Sequence, residues 1–402
     1  MTVTEGSTRT AVGDAELSEQ LIGAARELVP TLRGRAAETE RLRRLPAETL
    51  EDVAGAGLLG ILTPKVWGGK ELGIETMARV TYELARGDAS VAWCTMFLGA
   101  HDWLIAHFRE EAQAEYWSDP SVHSAGIFAP SGRAEKVDGG YRVRGTWEFG
   151  SGIDHADWFL GGAIVTNIDE PGLHFFMFET GQFSYADDWR NLGLRGSCSA
   201  TVTVDDVFVP EHRVIPVGWA AGGDGADGNP DPLPNPVYSL PFPPVNSTLI
   251  GMVMLGTVQG AYEQLLEWIQ TRVSSTTGRS VRDRVQTQTR VTEAAGAIQA
   301  ARLLLESNLA TICGAASLDY RQRVVCRRDM VYAARLMVQA IESLKTVAGA
   351  RGLQDANRFQ KLWRDMHTMS NHILFEFDGT GERFGRMELG MEPPAPQVDP
   401  YY

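Results

Sequence analysis

The sequence predicts an α+β protein in three parts: an N-terminal helical domain, a central β-barrel or sandwich domain, and a C-terminal four-helix bundle. Three changes of hydrophobic period carry this prediction. Residues 15–109 place apolar side chains every three or four positions, residues 122–209 alternate with period two, and helical spacing returns from Pro244 to about Phe377. The expected boundaries are 1–120, 121–235 and 236–402.

In the first part, LPAETLEDVAGAGLL sets Pro46 at a first-turn position with acids behind it, and Ile74 to Ala85 keeps the helical repeat. The string Gly55-Ala56-Gly57-Leu58-Leu59-Gly60 spells GxGxxG. A helix precedes it and Pro64 follows, so it reads as a glycine-capped helix end and no nicotinamide site is expected. In the middle part YRVRGTWEF, WFLGGAIV, LHFFMF and TVTVDDVFV alternate as strands do, and Asp138-Gly139-Gly140 marks a hairpin turn. The stretch AAGGDGADGNPDPLPNP is too poor in apolar residues to pack, and the region from Gly222 to Pro236 reads as a mobile loop that could admit a bulky substrate. Four long helices are then expected, over Ile250–Val273, Gln286–Ala316, Arg321–Ala348 and Ala356–Phe375.

Composition narrows the function classes. With 402 residues, 44% hydrophobic and 22% charged, the chain can bury a large core as a soluble globular protein. Its net charge of -14, with no basic cluster longer than Arg41, Arg43 and Arg44, argues against nucleic-acid and anionic-membrane partners. Cys94, Cys198, Cys313 and Cys326 lack CxxC spacing and read as buried thiols in a reducing cytoplasm. MTVTEGSTRT has no basic region followed by an apolar run, and the apolar segment Val91 to Leu98 is cut short by His101 and Asp102. Neither a secretory signal nor a membrane span is expected.

LPAETLEDVAGAGLLGILTPKVWGG, GTWEFGSGIDHADW, GLRGSCSATVTVDDVFVP and the late VAGARGL resemble the acyl-CoA dehydrogenase fold across nearly the whole chain. Within that fold, His101 after a long apolar helix, Ser151-Gly152 and RDMHTMSNH resemble the flavin-dependent oxygenase components of two-component (group D) aromatic monooxygenases. The resemblance implies reduced FMN or FAD (FMNH2 or FADH2) taken from a separate NAD(P)H-dependent flavin reductase. It also implies reaction with dioxygen (O2) through a flavin hydroperoxide, an aromatic small-molecule substrate that is phenolic or polycyclic, with natural products among the candidates, and a homotetramer. Such chemistry needs a dry pocket with a few fixed polar groups, and histidine suits its proton transfers.

The same resemblance assigns site residues. His101 is expected as partner or base for the substrate hydroxyl, Ser151 as a hydrogen-bond donor to flavin or phenolate, and His372 as the flavin-facing histidine. From the residues alone, His101 reads as a core histidine and Ser151 as a turn residue. Trp147, Phe149 and Gly150 are expected to join Ser151 in the flavin and substrate wall, and Ser197 and Ser199 to bond the flavin's polar edge. Here the sequence has Ser197-Cys198 where Thr-Gly is commoner in the hydroxylases. Arg272 is expected at the cofactor's phosphate side, often on a neighbouring subunit, and Ala348, Gly349, Ala350 and Arg351 as a turn approaching the cofactor across the tetramer. No metal site is expected.

On one continuous helix His367 and His372 would point about 140° apart, so only one should reach the flavin. The resemblance selects His372, on a polar stripe with Asp365 and Thr368, and leaves His367 structural or at the rim. Three alternatives stand beside this reading. Phe377-Asp378-Gly379-Thr380 resembles the turn whose glutamate is the base of acyl-CoA dehydrogenases, although the residues alone read as a turn ending the last helix. An N-oxidising amine or amino-sugar monooxygenase would show an acidic pocket, and a flavin-free scaffold would bind no reduced flavin.

Overall fold

The computed structural model describes residues 4–169, 171–218, 232–274, 277–315 and 317–392, with side chains from Gly13 onward. Positions 222–231 of the loop expected to be mobile lie outside them. Its last residues lead into a short 3-10 turn, Pro236–Ser239, capped by the Asn235 side chain.

Five helices open the chain: α1 (Thr4–Leu42), α2 (Ala47–Gly55), α3 (Ile74–Gly87), α4 (Ala89–Ile105) and α5 (Glu110–Tyr116). Pro46 stands just before α2 rather than in its first turn. The GxGxxG string is a helix stop, as its context implied. Gly57 takes φ 73°, and the Gly57 and Leu58 amides donate back to Ala54 and Val53. Helix α4 is buried along its whole length, which an all-round apolar helix requires, and the Asp88 carboxylate caps it by accepting from the Ser90 and Val91 amides.

Seven strands follow: β1 (Ser124–Val137), β2 (Gly140–Gly150), β3 (Trp158–Val165), β4 (Gly172–Glu179), β5 (Ser184–Tyr185), β6 (Ala200–Pro210) and β7 (Val214–Pro216). They form one sheet in the order β5-β6-β2-β1-β3-β4-β7, antiparallel except where β1 meets β3. Asp138 and Gly139 make a two-residue turn between paired Val137 and Gly140. Alternation sends Trp158, Leu160, Phe175 and Met177 into the core shared with the helices, while Trp147, Phe159, Phe176 and Phe178 fill a second core on the other face.

The C-terminal part comprises α6 (Phe242–Ile269), α7 (Val285–Gly314), α8 (Tyr320–Gly352), α9 (Arg358–Met369) and α10 (Phe377–Glu388). Helix α6 starts earlier than the sequence pattern implied, because Pro243 and Pro244 are tolerated in a first turn whose amides lack helical partners. Gly256 and Gly260 let α6 lie against α3, since a Cβ on either would come within 2.6 Å of the Tyr82 or Arg86 carbonyl oxygen. Helix α8 is interrupted at Gly349 (φ 59°, ψ -164°), close to the expected end at Ala348. The fourth helix stops at Met369, not at Phe375. The Ser370 hydroxyl and the Asn371 side-chain carboxamide both donate to the His367 carbonyl, drawing the chain out of helical pairing. Phe377-Asp378-Gly379-Thr380 opens α10 instead of ending the last helix, with the Glu376 carboxylate accepting from the Asp378 and Gly379 amides. Among the described residues no helix is long and apolar enough to cross a membrane.

Candidate active site

A cavity of about 540 Å³ opens between α4, β1–β2, the loop before β6, the start of α6 and the segment after α9. Its walls are mainly apolar and include Trp93, Phe97, Phe128, Phe149, Trp189 and Phe242. Ring contacts run in series from His372 to Trp93 (5.8 Å), Phe97 (5.1 Å), His101 (5.8 Å), Phe128 (5.8 Å) and Phe242 (5.0 Å). Trp93, Phe97 and His101 stand on α4 at intervals of four, one helical stripe. That spacing could have disclosed Trp93 and Phe97, which the sequence reading missed along with Phe128, Trp189, Phe242 and Asn246.

Of the expected residues, Phe149, Ser151, Ser199 and His372 line this cavity. Helix α9 ends before His372, so the helical-face assignment of His372 does not hold. The histidine reaches the cavity as the cap of the 3-10 turn Ile373–Phe375, where its Nδ1 accepts from the Leu374 amide at 3.2 Å. The ring proton of the neutral form is therefore on Nε2. Burial, with Arg327 nearby, pulls the His372 pKa down to about 4, so at neutral pH the group is an uncharged N–H donor. His367 is held elsewhere, its Nε2 2.9 Å from Glu342.

Ser151 belongs to a one-way chain of hydrogen bonds. The Ser197 hydroxyl donates to the Leu194 carbonyl (2.8 Å), so Ser199 must donate to Ser197 (2.7 Å) and Ser151 to Ser199 (2.9 Å). Trp93 Nε1 donates to Ser151 from the other side at 2.9 Å. With the bonds in this order the Ser151 proton is taken up within the chain, and Ser151 and Ser199 keep acceptor lone pairs. Ser197 stands one step behind the wall.

The loop carrying these serines is fixed from below. The Leu194 amide donates to Asp365 (2.7 Å) and the Gly193 amide to Thr368 (2.8 Å), and a Cβ on Gly193 would sit 2.3 Å from the Arg364 carbonyl oxygen. Asp365 is held by buried Lys361 (2.8 Å), which also reaches Asp88 at 3.2 Å. Burial alone would lower the Lys361 pKa, but Asp365 and Asp88 more than offset it and keep the ammonium charged. Cys198 takes φ 44° and ψ 48°, the left-handed conformation that glycine adopts freely, so the departure from Thr-Gly keeps a glycine-like backbone at the cost of strain.

Other expectations are corrected. His101 is fully buried and does not line the cavity. Its Nδ1 donates to the Ser124 carbonyl at 2.6 Å, and its Nε2 lone pair, with no partner among the described residues, lies behind Gly126. Burial lowers its pKa to about 4 against the pull of that carbonyl. Trp147 faces the second core of the sheet, donating to the Gly162 carbonyl at 2.8 Å; plain alternation would put Phe149 on the same face, but the register break between Trp147 and Gly150, with Phe149 at φ 74°, sends Phe149 to the cavity instead. Gly150 is buried beside Val202 and Ala200 and is not part of the lining.

Arg272 and Arg351 line a different cleft, with Trp268 and Asn357. The Arg272 guanidinium donates to the Val347 and Ala348 carbonyls freed by the break at Gly349, and stacks 4.4 Å over Trp268. Asp378 is exposed in a third cleft with Arg328 and Tyr332, outside the cavity. The one carboxylate in the described cavity lining is Glu148, exposed at the rim, so the lining is not an acidic pocket. Not all the cysteines are buried: Cys313 is exposed, while Cys94, Cys198 and Cys326 are buried, and all four are free thiols.

Residues 16–123 match the acyl-CoA dehydrogenase N-terminal domain and residues 248–377 its C-terminal domain. The chain is 33% identical to the flavin-dependent monooxygenase oxygenase subunit HsaA of Mycobacterium tuberculosis, over 94% of this chain and 97% of the relative. It is 30% identical to the FADH2-dependent resorcinol hydroxylase oxygenase component of a Rhizobium species, over 93% and 95%. The crystal structure of XiaF from a Streptomyces species, in complex with FADH2 and glycerol, superposes with a TM-score of 0.89 at 28% identity, covering 96% of this chain and 99% of that one.

Proposed function

The chain belongs to the acyl-CoA dehydrogenase family, among its flavin-dependent monooxygenase oxygenase subunits, and from that premise we propose that it is the oxygenase component of a two-component system hydroxylating an aromatic small molecule. Reduced FMN or FAD from a separate reductase, when bound, activates dioxygen and supplies the oxygen atom. The observation that carries the reading is the cavity itself: aromatic walls, a neutral histidine donor and a chain of serine acceptors, with no ionised group among its buried described lining residues. Those residues fit a planar isoalloxazine.

In this reading Phe149, Ser151, Ser199 and His372 contact the flavin. The serine lone pairs suit the N–H that the reduced ring carries and the oxidised ring lacks, and the neutral His372 donates a hydrogen bond from Nε2 to the oxygen that departs. Ser197 orients Ser199. His101 supports the substrate wall from behind Gly126. Arg272, with the break at Ala348, Gly349, Ala350 and Arg351, meets the cofactor of a neighbouring subunit in a homotetramer, and the protein works in the cytoplasm.

Anaerobic equilibrium dialysis tests the assignment. Reduced FMN or FAD should bind at least about tenfold more tightly than the oxidised form, a difference of one charge-neutral hydrogen bond, and Ser199→Ala should narrow the gap. Equal affinity for both redox states, or no saturable binding, would overturn it.

A further inference from the structure

The buried polar side chains of the cavity lining are not equally satisfied. Ser151 and Ser199 are tied into the serine chain. Asn246, 7% exposed, lines the same cavity and has no hydrogen-bond partner among the described residues. Its carboxamide is not sealed off from the cavity in the way the Nε2 of His101 is sealed behind Gly126. Other polar residues of α6 behave differently, the Ser247 and Thr257 hydroxyls donating to the carbonyls of Pro244 and Val253 in their own helix. A carboxamide with no partner among the described residues, open to the cavity rather than sealed in the core, is available to a ligand's polar group.

The surroundings define that ligand. Phe242, one helical turn before Asn246, ends the aromatic series that begins at His372, and fused flat rings stack well against such a wall. The described lining contains no lysine or arginine, so a carboxylate brought into it would lack a counter-charge. A carboxamide, by contrast, donates and accepts, and reads a carbonyl or a hydroxyl equally well.

We propose that Asn246 is a specificity-determining residue that hydrogen-bonds a second polar group, carbonyl or hydroxyl, on a neutral fused-ring phenol, at the end away from the ring that is hydroxylated. The proposal rests on the oxygenase reading above. A site built to bond such a group discriminates strongly against analogues that lack it.

The test uses the full chain with reduced FMN or FAD, anaerobically, and follows quenching of tryptophan fluorescence, Trp93 and Trp189 being in the wall. The probes are a hydroxy-β-tetralone, the tetrahydronaphthol that has a methylene in place of its ketone, and a dihydroxynaphthalene. The wild type should bind the ketone about tenfold more tightly than the methylene analogue. Asn246→Leu should erase that preference while leaving the tetrahydronaphthol affinity unchanged. The dihydroxynaphthalene, whose second hydroxyl can donate to the carboxamide oxygen, should share the ketone's advantage in the wild type and lose it in Asn246→Leu. Equal binding of ketone and methylene analogue by the wild type, or equal weakening of both by Asn246→Leu, would overturn the proposal. Dialysis of the reduced flavin in the same samples scores the oxygenase reading separately: flavin binding without a ketone preference removes the role of Asn246 alone.

Discussion

His372 and His367 are five residues apart, yet only one faces the cavity. His372→Asn should lower the yield of hydroxylated product by about a hundredfold, the lower end for loss of a preorganised hydrogen-bond donor, whereas His367→Asn should change it little, because that ring is bonded to Glu342. The reverse order would remove His372 from the chemistry. The pKa of about 4 has a second consequence. The folded chain keeps His372 neutral while the unfolded chain takes up a proton below about 6.5, so its contribution to stability is complete above 6.5 and shrinks as pH falls toward 4. Melting temperature measured from neutral pH downward should therefore fall less steeply for His372→Asn than for the wild type. At this scale the sequence was partly legible. Ser-Gly at 151 and 152 and the histidine-bearing stretch marked the wall, but the direction of the serine chain depends on the Leu194 carbonyl, which no side-chain pattern reports.

Elements were more legible than residues, because hydrophobic period records which face is buried. The strands and the buried helix α4 follow it closely. Boundaries set by polar side chains bonding to backbone did not, as at Ser370 and Asn371, where α9 stops early and frees His372 to turn inward. Trp147 shows a further limit within a strand: Phe149, two residues on, would share its face if alternation continued, and the register break against β6 that parts them leaves no mark in the hydrophobic period. The contact between α9, α4 and the serine loop depends on the buried Asp88–Lys361–Asp365 group. Lys361→Met leaves two carboxylates buried without their cation, and should cost about 3–5 kcal/mol of unfolding free energy in a denaturant titration. A loss below about 1 kcal/mol would show that the carboxylates find other partners.

Over the whole molecule, the residues expected at the cofactor separate into two places, one group around the cavity and another, Arg272 and Arg351, in a cleft at the break in α8. No arrangement within one described chain unites them. A homotetramer, as proposed, would bring them together across subunits and would cover the exposed Leu303 and Tyr332 of the C-terminal part. The central claim is that this fold shelters activated oxygen from water in a neutral, aromatic cavity until a phenol receives it. Its most direct measurement mixes the protein with stoichiometric reduced flavin under anaerobic conditions, admits oxygen with a neutral fused-ring phenol present, and quantifies hydroxylated product against hydrogen peroxide. Most of the reducing equivalents should appear in product. Recovery of nearly all of them as peroxide, with reduced flavin bound and the phenol saturating, would contradict the account.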